Sequence, residues 1–426
     1  MLDVKIFRDQ PEIARESEKK RFRTAENVDK VIEYDKKWRE ALQKLQDLRA
    51  ERNSLSKQFS QAIKNKSGEI EQLKMRSTEI KDEIARLEPE TESLIKLRDV
   101  YRYKVGNLIG PNVPIAQNDE GNQIIRKHGK ILKFEFEPKN HVALVDTVKG
   151  VELNKASAIA GSRFYYLKND LVLLNLALIQ FALDALINSG FQPFWTPFML
   201  KHDIMAEVAE ISDFQEQLYK IEGDDLYLIA TSEQTLAALH YDEIIDKSTL
   251  PRKYCGVSTC FRREAGSHGK DTLGIFRVHQ FEKVEQFVFC APEDSWKWHD
   301  DLIKNTEHIY QQLKLPYRII SIASGSLNDN AAAKYDLEAY FPGSGVYREL
   351  VSCSNCTDYQ ARKMNIRSGI LGDKESFEFV HTLNSTAIAT ERTICCILEN
   401  YQQADGTVKV PEVLVPYMHG KKIMGL

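Results

Sequence analysis

Between residues 31 and 62 the apolar positions step by alternating three and four: Val31, Tyr34, Trp38, Ala41, Leu45, Leu48, Leu55, Phe59 and Ala62, with only Arg52 interrupting the seam. A heptad spacing sustained this long predicts a helix with one apolar stripe. A polar break at residues 65–68, ending in Gly68, is followed by the same step at Ile70, Leu73, Ile80, Ile84, Leu87, Leu94, Tyr101 and Val105. Ser77, Thr91 and Arg98 take the intervening seam positions. Two such helices joined by a short turn fold back as an antiparallel hairpin, here residues 28–105. At about 38 residues each and about 1.5 Å per residue, the arm is about 57 Å long. Pro89 lies inside the second helix and is expected to kink it or relax one turn.

The pattern changes after helix breakers at residues 106–114. Three segments result: residues 1–106 with the arm, a polar connector over 107–160 with one short helix near 141–148, and a mixed region over 161–426. In that region a strongly apolar helix (170–188) precedes GFQPFWTP at 190–197, which is too rich in proline for a central strand. Strand-like runs follow at 226–230, 253–261, 275–289, 317–323, 347–351 and 377–383, with helices at 232–241 and 387–401. Regular strand–helix alternation is missing, so a doubly wound parallel fold is excluded. The reading is α+β: an antiparallel sheet flanked by helices, with a two-helix coiled-coil arm at the N-terminal end.

Composition refines this picture. The 426 residues are 42% hydrophobic and 28% charged, as in folded globular chains, and the formal net charge is −4. Any nucleic-acid contact must then come from a local basic group. No acid lies between Glu51 and Glu69, while Arg52, Lys57, Lys64 and Lys66 do, so the arm's tip is positive. That charge fits either a solvated helix face or a contact with a phosphate backbone. Seven cysteines, an odd number, do not suggest a disulfide framework, and point to a reducing, cytoplasmic compartment. The N-terminal stretch has no apolar signal core. Asn175, Gln180 and Asp184 break the 170–188 run, which reads as a buried helix and not as a membrane span.

The candidate chemistry is concentrated in CFRREAGSHGKDTLGIFRVHQFEKVE at residues 260–285. If 275–289 is one strand, Arg277, His279, Phe281, Lys283 and Glu285 share a face, and Arg262 and Glu264 share a face of the strand before it. Arginines, an aromatic ring and carboxylates are costly to bury unless a ligand pairs them. The ligand would have anionic groups for Arg262 and Arg277, a flat ring for Phe281, and donors for Glu264 and Glu285. A nucleoside triphosphate with an amino acid meets that description; a solvated half of an antiparallel sheet also fits the alternation. There is no GxxxxGK[ST] phosphate loop. Cys353 and Cys356 have finger-like spacing but lack a second ligand pair, and read as core thiols.

These residues resemble motif 2 of class II aminoacyl-tRNA synthetases, in the version found in seryl-tRNA synthetases. NSTAIATERTI at 384–394 is similar to motif 3, GFQPFWTP at 190–197 to motif 1, and TSE at 231–233 to the serine-binding signature. The heptad arm matches the tRNA-binding arm of that family. VSCSNCTDYQAR at 351–362 and LNST at 383–386 are similar to the eukaryotic cytosolic branch. The resemblance implies ATP-dependent activation of L-serine to seryl-adenylate, then transfer to the 3′ end of tRNA(Ser). It also implies a homodimer joined through motif 1.

By resemblance, Arg262 contacts the α-phosphate and the serine carboxylate, Glu264 the adenine amino group, and Phe281 the ring. Arg263, Arg277 and Val278 complete the ATP contacts of motif 2, and Arg392 holds the γ-phosphate. Glu349, with Ser352, is the Mg2+ ligand. Their odd spacing would put them on opposite faces of a regular strand, so a bulge or a main-chain contact is required. Thr231, Glu233, Glu285, Asn384 and Thr386 are the serine contacts. Arg52, Lys57, Lys64, Lys66 and Lys270 are the tRNA contacts. Two other functions share the catalytic pattern: an amino-acid:carrier ligase, which needs no arm, and a non-catalytic paralogue, which would be expected to lose some of Arg262, Glu264, Glu285, Glu349 and Arg392. All five are present.

Overall fold

A computed structural model describes residues 1–65, 68–209, 217–265, 273–370 and 372–425, and it divides into two compact units, Met1–Leu108 and Ile109–Leu426. Lys66 and Lys270 lie outside the described residues.

The first unit contains the hairpin. Helix α1 (Glu26–Lys64) and helix α2 (Ile70–Arg102) pack along a seam of Leu45, Leu48, Ile80, Ile84 and Leu87. Tyr34 stacks on Tyr101 at 5.5 Å where the two helices leave the body of the unit. At about 1.5 Å per residue, the 39 residues of α1 span about 58 Å. Helix α2 stops at Arg102, short of Val105, and it runs helically through Pro89. Charges midway along the arm are paired across it: Lys44 with Glu83, Arg49 with Glu88 and Arg76 with Glu51. Arg52, Lys57 and Lys64, nearer the tip, are exposed. At the base, buried Asp35 accepts hydrogen bonds from Arg8, Arg39 and Arg98. Burial raises the Asp35 pKa, but the three guanidinium groups outweigh it and hold the carboxyl below its ordinary value.

The second unit is built on one eight-stranded sheet. Its strands are β1 (Gln123–His128), β2 (Gln192–Trp195), β3 (Arg252–Phe261), β4 (Gln280–Cys290), β5 (Tyr317–Ser321), β6 (Ala333–Phe341), β7 (Val346–Asn355) and β8 (His381–Ala389). Their order is β1-β5-β6-β7-β8-β4-β3-β2, antiparallel throughout except for the parallel β2–β3 pair at one edge. Helices α3 (Asp170–Asn188), α4 (Ser232–Ala237), α5 (Ser295–Gln312) and α6 (Thr390–Tyr401) accompany it. Leu171, Leu174, Leu178 and Phe181 of α3 join the main core with Val257, Val284, Val288, Ile388 and Ile394. This helix is long and apolar enough to cross a bilayer by length and composition, and half of it is buried in the unit.

Several boundaries differ from the sequence reading. Residues read as a connector belong to the second unit from Ile109 onward: they supply edge strand β1 and helices His141–Thr147 and Leu153–Ala160. The exposed face of β1 explains why it looked like linker. Strand β4 begins at Gln280, so residues 275–279 are not part of it. Strand β8 runs on to Ala389 and the helix after it starts at Thr390, because residues 387–389 continue a central strand that is buried on both faces. The proline-rich run does form a strand, at the edge, where a missing N–H is tolerated.

Candidate functional site

Two irregularities in the sheet open a cavity of about 390 Å³, within the range of small-molecule sites. Strand β7 pairs with β8 only over Cys353, Ser354 and Asn355, so the rest of β7 stays on β6 and leaves β8. In β8 a register shift between Thr386 and Ile388 bends the strand opposite Glu285 and Val284. The cavity lies between these strands, β4, the end of β3 and the start of α4.

Helix α4 supplies Thr231 and Glu233. Thr231 caps the helix, its hydroxyl accepting from the Glu233 N–H at 3.1 Å. Gly256 on β3 lets the helix approach, since a Cβ there would meet Leu236 Cδ1 at 2.9 Å and Ser232 Cβ at 3.0 Å. The Ser232 hydroxyl in turn donates to the Gly256 carbonyl. Glu233 accepts from the amides of Asn384 (3.0 Å) and Gln360 (3.3 Å). Thr386 donates to Glu285 Oε2 at 3.3 Å, and the Lys283 ammonium pairs with the same oxygen at 2.5 Å.

The motif 2 residues arrive from irregular backbone as well as strand. Arg262 and Glu264 follow the last residue of β3, and Arg277 and Val278 precede the first residue of β4. Hydrogen bonding between the Arg262 N–H and the His279 carbonyl ties the two segments together. Arg277 and Glu264 therefore lie beyond the strands whose alternation predicts their face, although both residues line the cavity with Phe281, Lys283 and Glu285. The Glu264 backbone is left-handed, with φ 49°, and its carboxylate pairs with Arg277 at 2.7 Å. The Arg262 guanidinium lies 5.2 Å from the centre of the Phe281 ring. Arg263 is exposed and does not line the cavity.

On the opposite wall, β7 carries an extra residue at Leu350, since Leu337 pairs with Val351 and Glu338 with Glu349. This bulge is what the odd spacing required, and it brings Ser352 Oγ to 3.0 Å from Glu349 Oε1. Arg392, from the first turn of α6, donates to the Glu349 carbonyl at 3.0 Å and lies 3.7 Å from its carboxylate. Enclosure by protein pushes the Glu349 pKa up, but Arg392 and Lys334 outweigh it and bring the value to about 2. Behind Ser352, across the β6–β7 ladder, burial raises the Asp336 pKa to about 7. One oxygen of its carboxylate has no hydrogen-bond partner among the described residues. An ionised carboxylate and a hydroxyl are hard oxygen donors of the kind that suit Mg2+.

Every predicted ATP and serine contact except Arg263 lines this cavity. It also contains residues that the sequence reading left unassigned: Lys283, Lys334, Asn328, Asn330 and Glu391. Lys283 had a signal, since it alternates with Phe281 and Glu285; Asn328 and Asn330 come from a loop without motif or period, and Lys334 from the start of β6. Glu391 is held by Tyr165, Thr390 and the Glu282 N–H, and burial with the charge of Glu282 raises its pKa well above the ordinary range.

A family model of the class II tRNA synthetase core domain (G, H, P, S and T) matches residues 217–401, and one of the seryl-tRNA synthetase N-terminal domain matches residues 1–109. Over its whole length the chain is 59% identical to the serine–tRNA ligase of Methanosphaera stadtmanae, covering 99% of that protein. A crystal structure of seryl-tRNA synthetase from Pyrococcus horikoshii complexed with ATP is similar at a TM-score of 0.95 and 44% identity, covering 100% of this chain and 99% of that one. The cytoplasmic serine–tRNA ligase from Naegleria fowleri, solved with AMP, is similar at 0.90 and 43%, covering 100% and 98%.

Proposed function

The chain belongs to the seryl-tRNA synthetases, ligases that join serine to tRNA using ATP, and from that premise we propose how this cavity divides the work. The observation that carries the reading is the convergence of motif 2, motif 3, the Thr231–Glu233 turn and Glu285 on one cavity. Arg262 bridges the serine carboxylate and the α-phosphate, offsetting the charge that builds as the carboxylate oxygen attacks phosphorus and pyrophosphate leaves. Phe281 receives the adenine face and Glu264 its amino group, with Arg277 fixing the Glu264 carboxylate. Arg392 meets the γ-phosphate. Glu349 and Ser352 would hold Mg2+, which when bound spreads and neutralises phosphate charge.

Serine is selected by hydrogen bonding and by size. Thr231, Glu233 and Glu285 receive its ammonium and hydroxyl, and the Thr386 and Asn384 side chains close the pocket. A site built to hydrogen-bond a hydroxyl rejects alanine by ~10⁴-fold because its polar groups are otherwise left unpaired. Threonine is rejected by its extra methyl group. Glu285→Ala is expected to abolish serine-dependent pyrophosphate exchange while the circular dichroism spectrum is unchanged; exchange near the wild-type rate would refute the assignment.

Residues 1–106, through exposed Arg52, Lys57 and Lys64, bind tRNA(Ser) by its backbone, and residues 161–426 carry out both chemical steps. The N. fowleri relative is cytoplasmic by name, and the free, buried cysteines support the same compartment here. Exposed apolar residues on α3 and β2, among them Val172, Leu176, Ile187 and Trp195, support a homodimer through motif 1.

A further inference from the structure

Lys283 is an ammonium group buried to 6% exposure in the wall of the serine pocket. It stands on β4 between Phe281 and Glu285 on the cavity face, with Ser258 of β3 and Ala389 of β8 opposite it on either side. A buried lysine costs several kcal/mol of desolvation unless it is paired, so its retention here needs a reason. The pairing is specific to one atom. Lys283 Nζ lies 2.5 Å from Glu285 Oε2, and the Thr386 hydroxyl donates to the same oxygen at 3.3 Å. Among the described residues Oε1 accepts no hydrogen bond, although Glu285 lines the cavity and is itself only 1% exposed.

We propose that Lys283 is a positioning and specificity-determining residue: it occupies Oε2 together with Thr386, holds the carboxylate in one orientation, and leaves Oε1 to accept the serine hydroxyl. With its charge already compensated, Glu285 acts as a hydrogen-bond acceptor for the hydroxyl and not as the counter-ion of the substrate ammonium. The inference rests on the reading of Glu285 as a serine contact. Without the lysine, Oε2 would lose its charged partner and the buried carboxylate would no longer be held in that orientation. A Glu285 turned out of place would no longer present an open acceptor to the substrate hydroxyl, and discrimination of serine from alanine would fall.

The test is pyrophosphate exchange by the full chain with serine or alanine at neutral pH. Lys283→Met is expected to raise the serine KM ~10-fold or more near neutral pH, with the ATP KM within about twofold of wild type. Discrimination of serine from alanine should fall by a comparable factor. Lys283→Arg, which keeps the charge, should restore most of the affinity. The Lys283→Met/Glu285→Gln double variant should be no worse than Glu285→Gln alone, because both changes act through one group. A wild-type serine KM in Lys283→Met with a raised one in Glu285→Gln would overturn the inference and leave the reading of Glu285 standing. An unchanged serine KM in Glu285→Gln would overturn that reading itself. Unchanged discrimination of serine from alanine with a lower unfolding temperature, or additive losses in the double variant, would show Lys283 to be structural or to touch substrate directly, and either result defeats the proposal.

Discussion

At the scale of single residues, a few side chains combine buried charge with a fixed partner, and their energetics can be checked. Asp35 is almost fully buried beneath Arg8, Arg39 and Arg98. Its lowered pKa means that it stabilises the first unit above the ordinary carboxyl value of about 3.9 and loses that contribution as pH falls through the folded value. Asp35→Ala is expected to cost about 3 kcal/mol, the low end for a broken buried pair because Arg8 and Arg39 keep contact with water. Urea unfolding followed by helical circular dichroism would measure it, and the variant should show a shallower loss of stability between about pH 5 and pH 3. Gly256 acts on the site through space. Gly256→Ala would drive a methyl group into Leu236 and Ser232, displacing the turn that carries Thr231 and Glu233. The serine KM should rise ~10-fold and the ATP KM much less, since Phe281, Glu264 and Arg392 are on other segments; equal changes in both would point to general unfolding.

Among the elements, the hairpin and the split sheet perform different tasks. The hairpin is a simple repeat: its two helices meet through apolar seam residues, and its cross-arm ion pairs lie inboard of the exposed basic residues. Tyr34 and Tyr101 stack where the arm begins, so its two ends are close enough for a short splice. Deleting residues 30–103 is therefore expected to preserve serine-dependent pyrophosphate exchange within about threefold while removing tRNA charging. Charging at the full-length rate would show the arm to be dispensable. In the sheet, the departure of β7 from β8 and the bulges at Leu350 and after Thr386 create the cavity. A continuous ladder with the same sequence motifs would have closed it.

Viewed as a whole, the molecule has more apolar surface on α3 and β2 than its own core uses. Val172, Leu176 and Ile187 are exposed along α3, and Trp195 is 76% exposed on the edge strand. A parallel edge strand with an exposed tryptophan would favour self-association unless an ordered interface covered it. Leu176→Asp is expected to shift a dimer to monomer in sedimentation velocity, at protein concentrations where the wild type sediments as one dimeric species. A wild type that sediments as a monomer, or a variant that stays dimeric, would place the contact elsewhere.

What could be read from the chain alone was whatever local periodicity or a contiguous motif encodes. The heptads gave the arm within a few residues because a seam contact is repeated every three or four positions and depends on nothing distant. The motif residues Arg262, Glu264, Phe281, Glu285, Glu349 and Arg392 were legible because each lies in a short string whose chemistry needs that residue type. The odd spacing of Glu349 and Ser352 called for a bulge or a main-chain contact, and the fold uses a bulge. Folding in three dimensions decided the rest: that β1 belongs to the catalytic sheet, that Arg263 turns outward, and that β8 extends to Ala389. It also decided that Lys283, Lys334 and Asn330 face the same cavity. Those outcomes depend on which strands pair and where the pairing fails, contacts between residues many tens of positions apart that leave no period in the sequence.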